Sequence, residues 1–398
     1  MKKLFISALF ALSSAATFAQ TIYICKGGDY TKEEITENLE IDLTAGIDSI
    51  TFYEPQFEKA VTITYNGEVA TVTIPSFISG VTCSSGTSSD VVLTSTNTSD
   101  EITYKVSGTS ENGSLTIKGE YKMTVELNGV SLTSTTGAAI DIQCGKRIAL
   151  VMEKGSTNNL ADAENGKQKA CLYTKGHLEL SGGGTLNVTG NANHAIAAKE
   201  YLQVKKSIKA INILKAANDA IHVGQYFQMN GGELNITSTT ANDGIQVDYK
   251  TDDDDNIIED EENTGEVLIK GGTLNITLDA NQDSKGIKAE GDIIISGGTF
   301  NINANSNGSR GMQTDKNMVI GEEDNATNIL IYATGAQCTV TEDRQDPHKC
   351  MGMKIDGNLT VNAGETTVYN TGSKSKGIKV GKEYTQNGGT VNAKMDLP

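Results

Sequence analysis

The sequence has no tryptophan, only four prolines, and 5% aromatic residues over its 398 positions. Hydrophobic residues reach just 37%, while glycine stands at 42 and Thr, Asn, Ile and Val are prominent. That balance suits a helical protein badly and suits many short strands joined by Gly and Asn turns. Basic residues are also scarce: 33 Lys and Arg against 50 Asp and Glu give a net charge of −17. Such a chain lacks the basic face that phosphate binding requires, so nucleic acid is not an expected partner. The acidic balance fits a secreted protein that binds divalent cations. No apolar stretch beyond the first residues approaches the roughly 20 residues of a membrane span. No cysteine follows a lipobox-like sequence either, and Cys25 sits in YIC, so a lipid anchor is not expected.

What is present begins with a leader. Lys2 and Lys3 form a basic start, Leu4 to Leu12 an apolar stretch, and Thr17-Phe18-Ala19 a small-residue cleavage site. Residues 1–19 therefore read as a secretory signal cleaved before Gln20. The mature protein is expected to be secreted or held at the cell surface, and monomeric. Six cysteines in an exported chain permit disulfides without requiring them. Cys338 and Cys350 are the best-placed local pair, and the other four read as small buried fillers.

The phrase GGTLNI at Gly271 returns as GGTFNI at Gly297, GGTLNV at Gly183, GGELNI at Gly231 and GGTVNA at Gly388. Around it lies a longer unit of three short alternating segments, each with strand periodicity. The middle segment tracks the repeat best, with its central apolar residue at Ile140, Leu172, Ile196, Ile221, Ile245, Ile287, Met312, Met353 and Ile378. Most intervals are 24 or 25 residues, and three longer ones hold insertions: Gly155–Gln168, the acidic run Asp248–Glu262, and Glu322–Lys349. A three-strand unit of this length predicts an all-β chain, a parallel β-helix of about ten coils stacked at about 4.8 Å. Gln20 to about Ser79 lacks the period and reads as a small β-rich module capping the first coil. The expected division is 20–79 for that module and 80–398 for the β-helix.

The segments ELNGVSLTSTTGAAIDI (Glu126–Ile142), EKGSTNNLAD (Glu153–Asp162) and SGGGTLNVTGNANHAIAAKEYLQV (Ser181–Val204), with the later NDAI, NDGI and KGIK units, resemble an exported bacterial carbohydrate-binding domain family. The resemblance covers roughly Val91 to the C-terminus. It implies a right-handed parallel β-helix, calcium, and an acidic polysaccharide of the polygalacturonate or pectin type as ligand.

Stacking turns sequence positions into rows. The row two before each central residue and the row one after it place Lys285, Lys288, Arg310, Lys354, Lys376 and Lys379 together, a candidate track for a polyanionic glycan through cation–carboxylate pairs. The competing reading is ordinary solvated strand surface, compensated by an acidic row three after the centre. Asp219, Asp243 and Asp248 lie within about two coils and offer oxygen ligands for calcium. The acidic run beside them lacks the Gly and terminal Glu of an EF-hand. Asn187, Asn212, Asn235, Asn275, Asn301 and Asn392 form an outward row, read first as an amide ladder that stabilises the stack. NDGIQ at Asn242 faintly resembles a polygalacturonase phrase, but the neighbouring DD pair, GHG and RIK are missing. No catalytic residues are assigned, so a binding protein is expected, with a calcium-dependent lyase or a hydrolase as the runner-up and a structural or adhesive solenoid third.

Overall fold

Each segment of the repeat becomes a strand, and each strand pairs in parallel with its counterpart one repeat later. The computed structural model describes residues 3–6, 20–26, 29–35, 39–42, 46–52, 60–238, 242–279, 282–338 and 347–398. Among these there is no helix. A sheet of 12 strands and a sheet of 22 strands run the length of the repeat. The larger sheet carries two columns. One passes from Ile148–Met152 through Leu178–Gly182 and Val267–Ile269 to Tyr384–Gln386, the other from Thr157–Ala161 through Thr273–Leu278 to Thr390–Lys394. The architecture is all-β and β-helix-like.

Register in the 12-stranded sheet follows the sequence period without a slip. Ile140 pairs with Leu172, then Ile196, Ile221, Ile245, Ile287, Met312, Met353 and Ile378 in turn. A one-residue shift would turn every one of these side chains out of the core, which is why the apolar pattern alone sets the pairing. The core is continuous from Val61 to Val368. Each fully buried Leu or Ile in it contributes about 1.5–3 kcal/mol before chain entropy is counted.

Two glycine positions have a steric cause. In the corner phrase, Gly272 adopts φ +99°, and a Cβ there would lie 2.7 Å from the Gly232 carbonyl oxygen. In the 12-stranded sheet, Gly244, Gly286, Gly311, Gly352 and Gly377 stand immediately before the central apolar residues. A Cβ on Gly286 would lie 2.5 Å from the Gly311 carbonyl oxygen, and one on Gly311 2.6 Å from that of Gly352. From Gly244 to Gly352 the backbones of successive coils approach too closely at this position for a side chain, whereas Ala195 and Ala220 fill it on the two coils before.

The asparagine row is a hydrogen-bonded ladder. Nδ2 of Asn187, Asn212, Asn235, Asn275 and Asn301 donates to Oδ1 of the asparagine one coil earlier at 2.7–2.9 Å, beginning from Asn159. Asn392 lies outside it, because Leu330 and Thr367 occupy the two intervening coils.

Two insertions are shorter than the sequence suggests. Thr157–Ala161 and Thr327–Ala333 are ladder strands, so the extra residues follow Ala161 and Ala333. At the N-terminal end, Gln20–Lys26, Asp29–Ile35 and Ser49–Thr51 form a small antiparallel sheet. Of the span 20–79 assigned to a leader module, Ala60–Asn66 pairs in parallel with Ile102–Ser110 and Val69–Thr73 folds back on it antiparallel. Of the signal segment only Lys3–Ile6 lies within the described residues, paired with Leu39–Asp42; the cleavage site lies outside them. Cys338 and Cys350 are separate buried thiols, not a disulfide. Cys338 Sγ instead accepts from the His348 amide at 3.1 Å, and Cys350 Sγ meets Ser309 Oγ at 3.7 Å.

Candidate functional site

On the 12-stranded sheet the residues at and two after each centre point inward, so the residue between them stands outward. This outward row runs His222, Gln246, Lys288, Gln313, Lys354 and Lys379 on six successive coils. Upstream it continues through Thr116, Asp141, Tyr173 and Ala197. An open hollow of about 400 Å³ sits on that upstream stretch, lined by Thr116, Asp141, Gln143, Lys169 and Tyr173 among others. Burial pushes the Asp141 carboxyl up, against a hydrogen bond from Gln143 that lowers it. The face therefore offers hydroxyl, amide, carboxyl, aromatic and ammonium groups at strand spacing.

The six expected cations do not form one track. Lys288 is half-buried in the outward row, and Lys376 and Lys379 are exposed on the last strand of the sheet. Lys354 Nζ is held 2.6 Å from Asp356 Oδ2. Arg310 departs most from expectation: it is 5% exposed, and its Nη1 pairs with Asp283 Oδ1 at 2.9 Å. Lys285 lies between Asp243 at 3.8 Å and Asp283 at 3.7 Å. Asp283 also takes His348 Nδ1 at 2.8 Å. Burial would raise the Asp283 carboxyl, but Lys285, Arg310 and His348 together hold it below its usual range. Arg310 and Lys285 thus belong to an ion network of low exposure centred on Asp283 rather than to an open track.

The three expected calcium ligands do not close on a common point. Asp219 is 3% exposed; its Oδ1 accepts the Asp243 amide at 3.1 Å, while its Oδ2 meets His222 Nδ1 at 3.0 Å and lies 3.3 Å from His194 Nδ1. His222 Nε2 in turn lies 3.6 Å from Asp248 Oδ2, so an imidazole stands between Asp219 and Asp248. Both Asp248 oxygens accept Gln246 Nε2, at 2.9 and 2.8 Å. Asp243 Oδ1 accepts the Lys285 amide at 2.7 Å. As a set, Asp219, Asp243 and Asp248 do not fit an oxygen cage for calcium.

Electrostatics separate the two buried carboxyls. Burial pushes Asp219 up, but His194 and His222 outweigh it and hold the group far below the usual carboxylate range. Asp243, with a larger desolvation penalty than its partners offset, is pushed up to about 6; Asp219 adds to the rise and Lys285 and Lys288 oppose it. The His222 imidazole is lowered by burial and raised more strongly by Asp219 and Asp248, ending above its ordinary value.

His194 and His222 fall in the same two rows as the lysines, two before Ile196 and one after Ile221, and were assigned no role from the sequence. Their signal was present: one precedes its central residue by two, the other follows its own by one, and Asp219 sits three before His222. What the linear pattern lacks is the contact between the two rows across neighbouring coils, which brings both imidazoles onto Asp219. Glu200, which pairs with His177 Nε2 at 2.9 Å and Lys250 Nζ at 2.7 Å, was missed for a similar reason, since Lys250 lies in the irregular segment after Val247.

A family model for carbohydrate-binding domain-containing proteins matches residues 89–396. A carbohydrate-binding domain-containing protein of Acetivibrio thermocellus is 29% identical over 111 residues, which are 25% of this chain and 39% of that protein. Among solved structures, the polysaccharide lyase-like protein from C. thermocellum, as a gadolinium derivative, is similar at TM-score 0.53 and 22% identity, covering 68% of this chain and 100% of its own. At that identity the likeness is one of fold. No helix among the described residues is long and apolar enough to cross a membrane.

Proposed function

Because the chain belongs to the family of carbohydrate-binding domain-containing proteins, we propose that it binds an acidic polysaccharide of the polygalacturonate type along the outward face of its 12-stranded sheet. The observation that carries this reading is the in-register row His222, Gln246, Lys288, Gln313, Lys354 and Lys379. Coils rise by about 4.8 Å, close to the length of one sugar residue, so a chain laid along the rod meets a new polar side chain at each step. Lys288, Lys354 and Lys379 supply ammonium groups for uronate carboxylates, and Gln246 supplies an amide partner for hydroxyls, while Gln313 is largely buried. Lys285, Arg310 and Lys376 take part less directly, the first two as internal support and the last at the edge. The coils wind to the right in this reading, as parallel crossovers do, and the protein acts outside the cell after cleavage near Ala19.

Calcium enters the proposal away from Asp219 and Asp243. Asp248, Glu290, Asp315 and Asp356 follow equivalent strand ends on four successive coils, beside the lysines. Stacked carboxylates repel, and a hard, oxygen-seeking cation shared with the polymer's uronates relieves that repulsion.

The test is affinity for polygalacturonate oligomers of increasing length, at low and high salt, with and without a chelator. Binding should tighten with length, weaken with salt, weaken on chelation, and fall further in a Lys288/Lys354/Lys379→Ala triple variant than in any single one. Binding that ignores salt and survives the triple change sinks the assignment of this face; binding indifferent to chelation removes calcium from it.

A second reading, a polysaccharide lyase, is favoured by one local feature: the buried Asp243 carboxyl, raised to about 6, lies 3.8 Å from Lys285 Nζ. A carboxyl titrating near neutrality beside an ammonium is the kind of pair acid–base chemistry uses. Accumulation of an ultraviolet-absorbing unsaturated uronate, abolished by Asp243→Asn, would establish it in place of simple binding.

A further inference from the structure

The cluster around Asp219 shares only His222, at the end of the row, with the glycan face, and its chemistry points elsewhere. We propose that His194 Nδ1, Asp219 Oδ2 and His222 Nδ1 form a binding site for a transition-metal dication of the zinc type. The three donor atoms all lie within 4.8 Å of one another. The two measured edges from the carboxylate oxygen, 3.0 and 3.3 Å, approach the edge of about 3.4 Å that a tetrahedral ion with bonds of about 2.0–2.2 Å requires.

The surroundings are arranged as a metal ligand's neighbours are. The Asp243 amide, 3.1 Å from Asp219 Oδ1, fixes the carboxylate and leaves Oδ2 facing the imidazoles. Asp248 Oδ2 lies 3.6 Å from His222 Nε2, so once the ion displaces the proton that Nδ1 now gives to Asp219 Oδ2 at 3.0 Å, the proton left on Nε2 faces a carboxylate. His194 Nδ1 is buried and makes no well-aligned hydrogen bond. The donors ride on adjacent coils whose strands are in register, Ile196 against Ile221, so the backbone holds them in place. His222 remains 30% exposed, which leaves a path for the ion and room for a water as fourth ligand.

Two imidazoles and one carboxylate suit zinc, and related ions of its class, and suit calcium poorly, since calcium takes oxygen donors. Binding has a local cost. The rings of His194 and His222 are now stacked, with centroids 4.4 Å apart at 25°. Each must turn until its plane contains the ion, which gives up the stack.

The experiment titrates the full mature chain, freed of metal, with Zn²⁺ alone by calorimetry, with Ca²⁺ and Mg²⁺ as comparisons, and records the visible spectrum with Co²⁺. One Zn²⁺ per chain is expected, with the intense Co²⁺ bands of four-coordinate nitrogen and oxygen ligation. His194→Gln and His222→Gln should each abolish saturable binding. Asp248→Asn, a change at a partly exposed side chain that leaves the fold intact, should weaken it by about 10–100-fold. The proposal is overturned if Zn²⁺ does not bind, if binding survives both histidine changes, or if Asp248→Asn leaves it unaltered. Binding removed by His177→Gln instead would also overturn it, by placing the ion against Glu200 and Glu262. None of these readouts involves the polysaccharide, so the outcome is independent of the glycan reading.

Discussion

The asparagine column from Asn159 to Asn301 and the mixed column from His222 to Lys379 both ride on parallel strands, yet they spend their polar groups differently. In the first, every amide from Asn187 onward donates to the one before it, so the column's hydrogen-bonding capacity is consumed along its own length. In the second, neighbours alternate among imidazole, amide and ammonium, and the bonds that form run sideways, as from Gln246 to Asp248 and from Lys354 to Asp356. A uniform column holds coils together. A heterogeneous one ties its groups to neighbours on the same strand, bonds that a ligand from outside can exchange without parting the coils.

The largest expected effect that tests this contrast is electrostatic and confined to the second column's side. The Asp243 carboxyl titrates near 6 when folded against 3.8 unfolded. Between those values the folded chain keeps a proton that the unfolded chain has lost. Its stabilisation is therefore fully present below about pH 4 and lost as pH rises through about 6, a swing of roughly 3 kcal/mol. Asp219, Lys285 and Lys288 are the charged groups that set this value. His222, also raised, acts in the same direction at somewhat higher pH. Urea midpoints measured at about pH 4.5 and 7.5 should show the fall, and Asp243→Asn should flatten most of it. An Asn235→Ala variant with the same flattening would break the distinction between the two columns.

Next in size is the ladder itself. Asn235 sits mid-column, donating to Asn212 at 2.8 Å and accepting from Asn275 at 2.7 Å. Asn235→Ala should cost about 1–2 kcal/mol of stability with no change in polygalacturonate affinity. Weakened binding with unchanged stability would reverse the roles assigned to the two faces. The smallest effect is the single Lys288→Ala change, a solvent-screened pair worth about 0.2–1 kcal/mol, seen as at most a fivefold loss of affinity at low salt and none at high salt.

The two columns were not equally legible in the sequence. Asn187 to Asn301 could be placed because a side chain one step from a buried Leu and Ile must face outward, and the strand period guarantees it. The central residues from Ile140 to Ile378 were legible for the same reason. Arg310 and Lys285 were not, since what takes them out of the track is their pairing with Asp283, a residue outside the regular strands. No count of offsets along a line contains that partner. The convergence of His194, Asp219 and His222 was hidden likewise, because it joins two different rows on neighbouring coils. Asp283 and His348, which complete the Arg310 network, come from outside the regular strands and carry no periodic signal at all.

The glycine column has a further consequence, for how such a chain can change over generations. At Gly286, Gly311 and Gly352 the backbone of one coil rests against the carbonyl of the next, at nearly the same distance on each of these coils. Removing or duplicating a whole coil of this stretch restores that contact, whereas adding a single methyl at one of these three glycines destroys it. Length in this architecture is therefore quantised: the molecule can be shortened or extended by complete turns, each carrying its own outward side chain, far more readily than it can tolerate one larger residue in the seam.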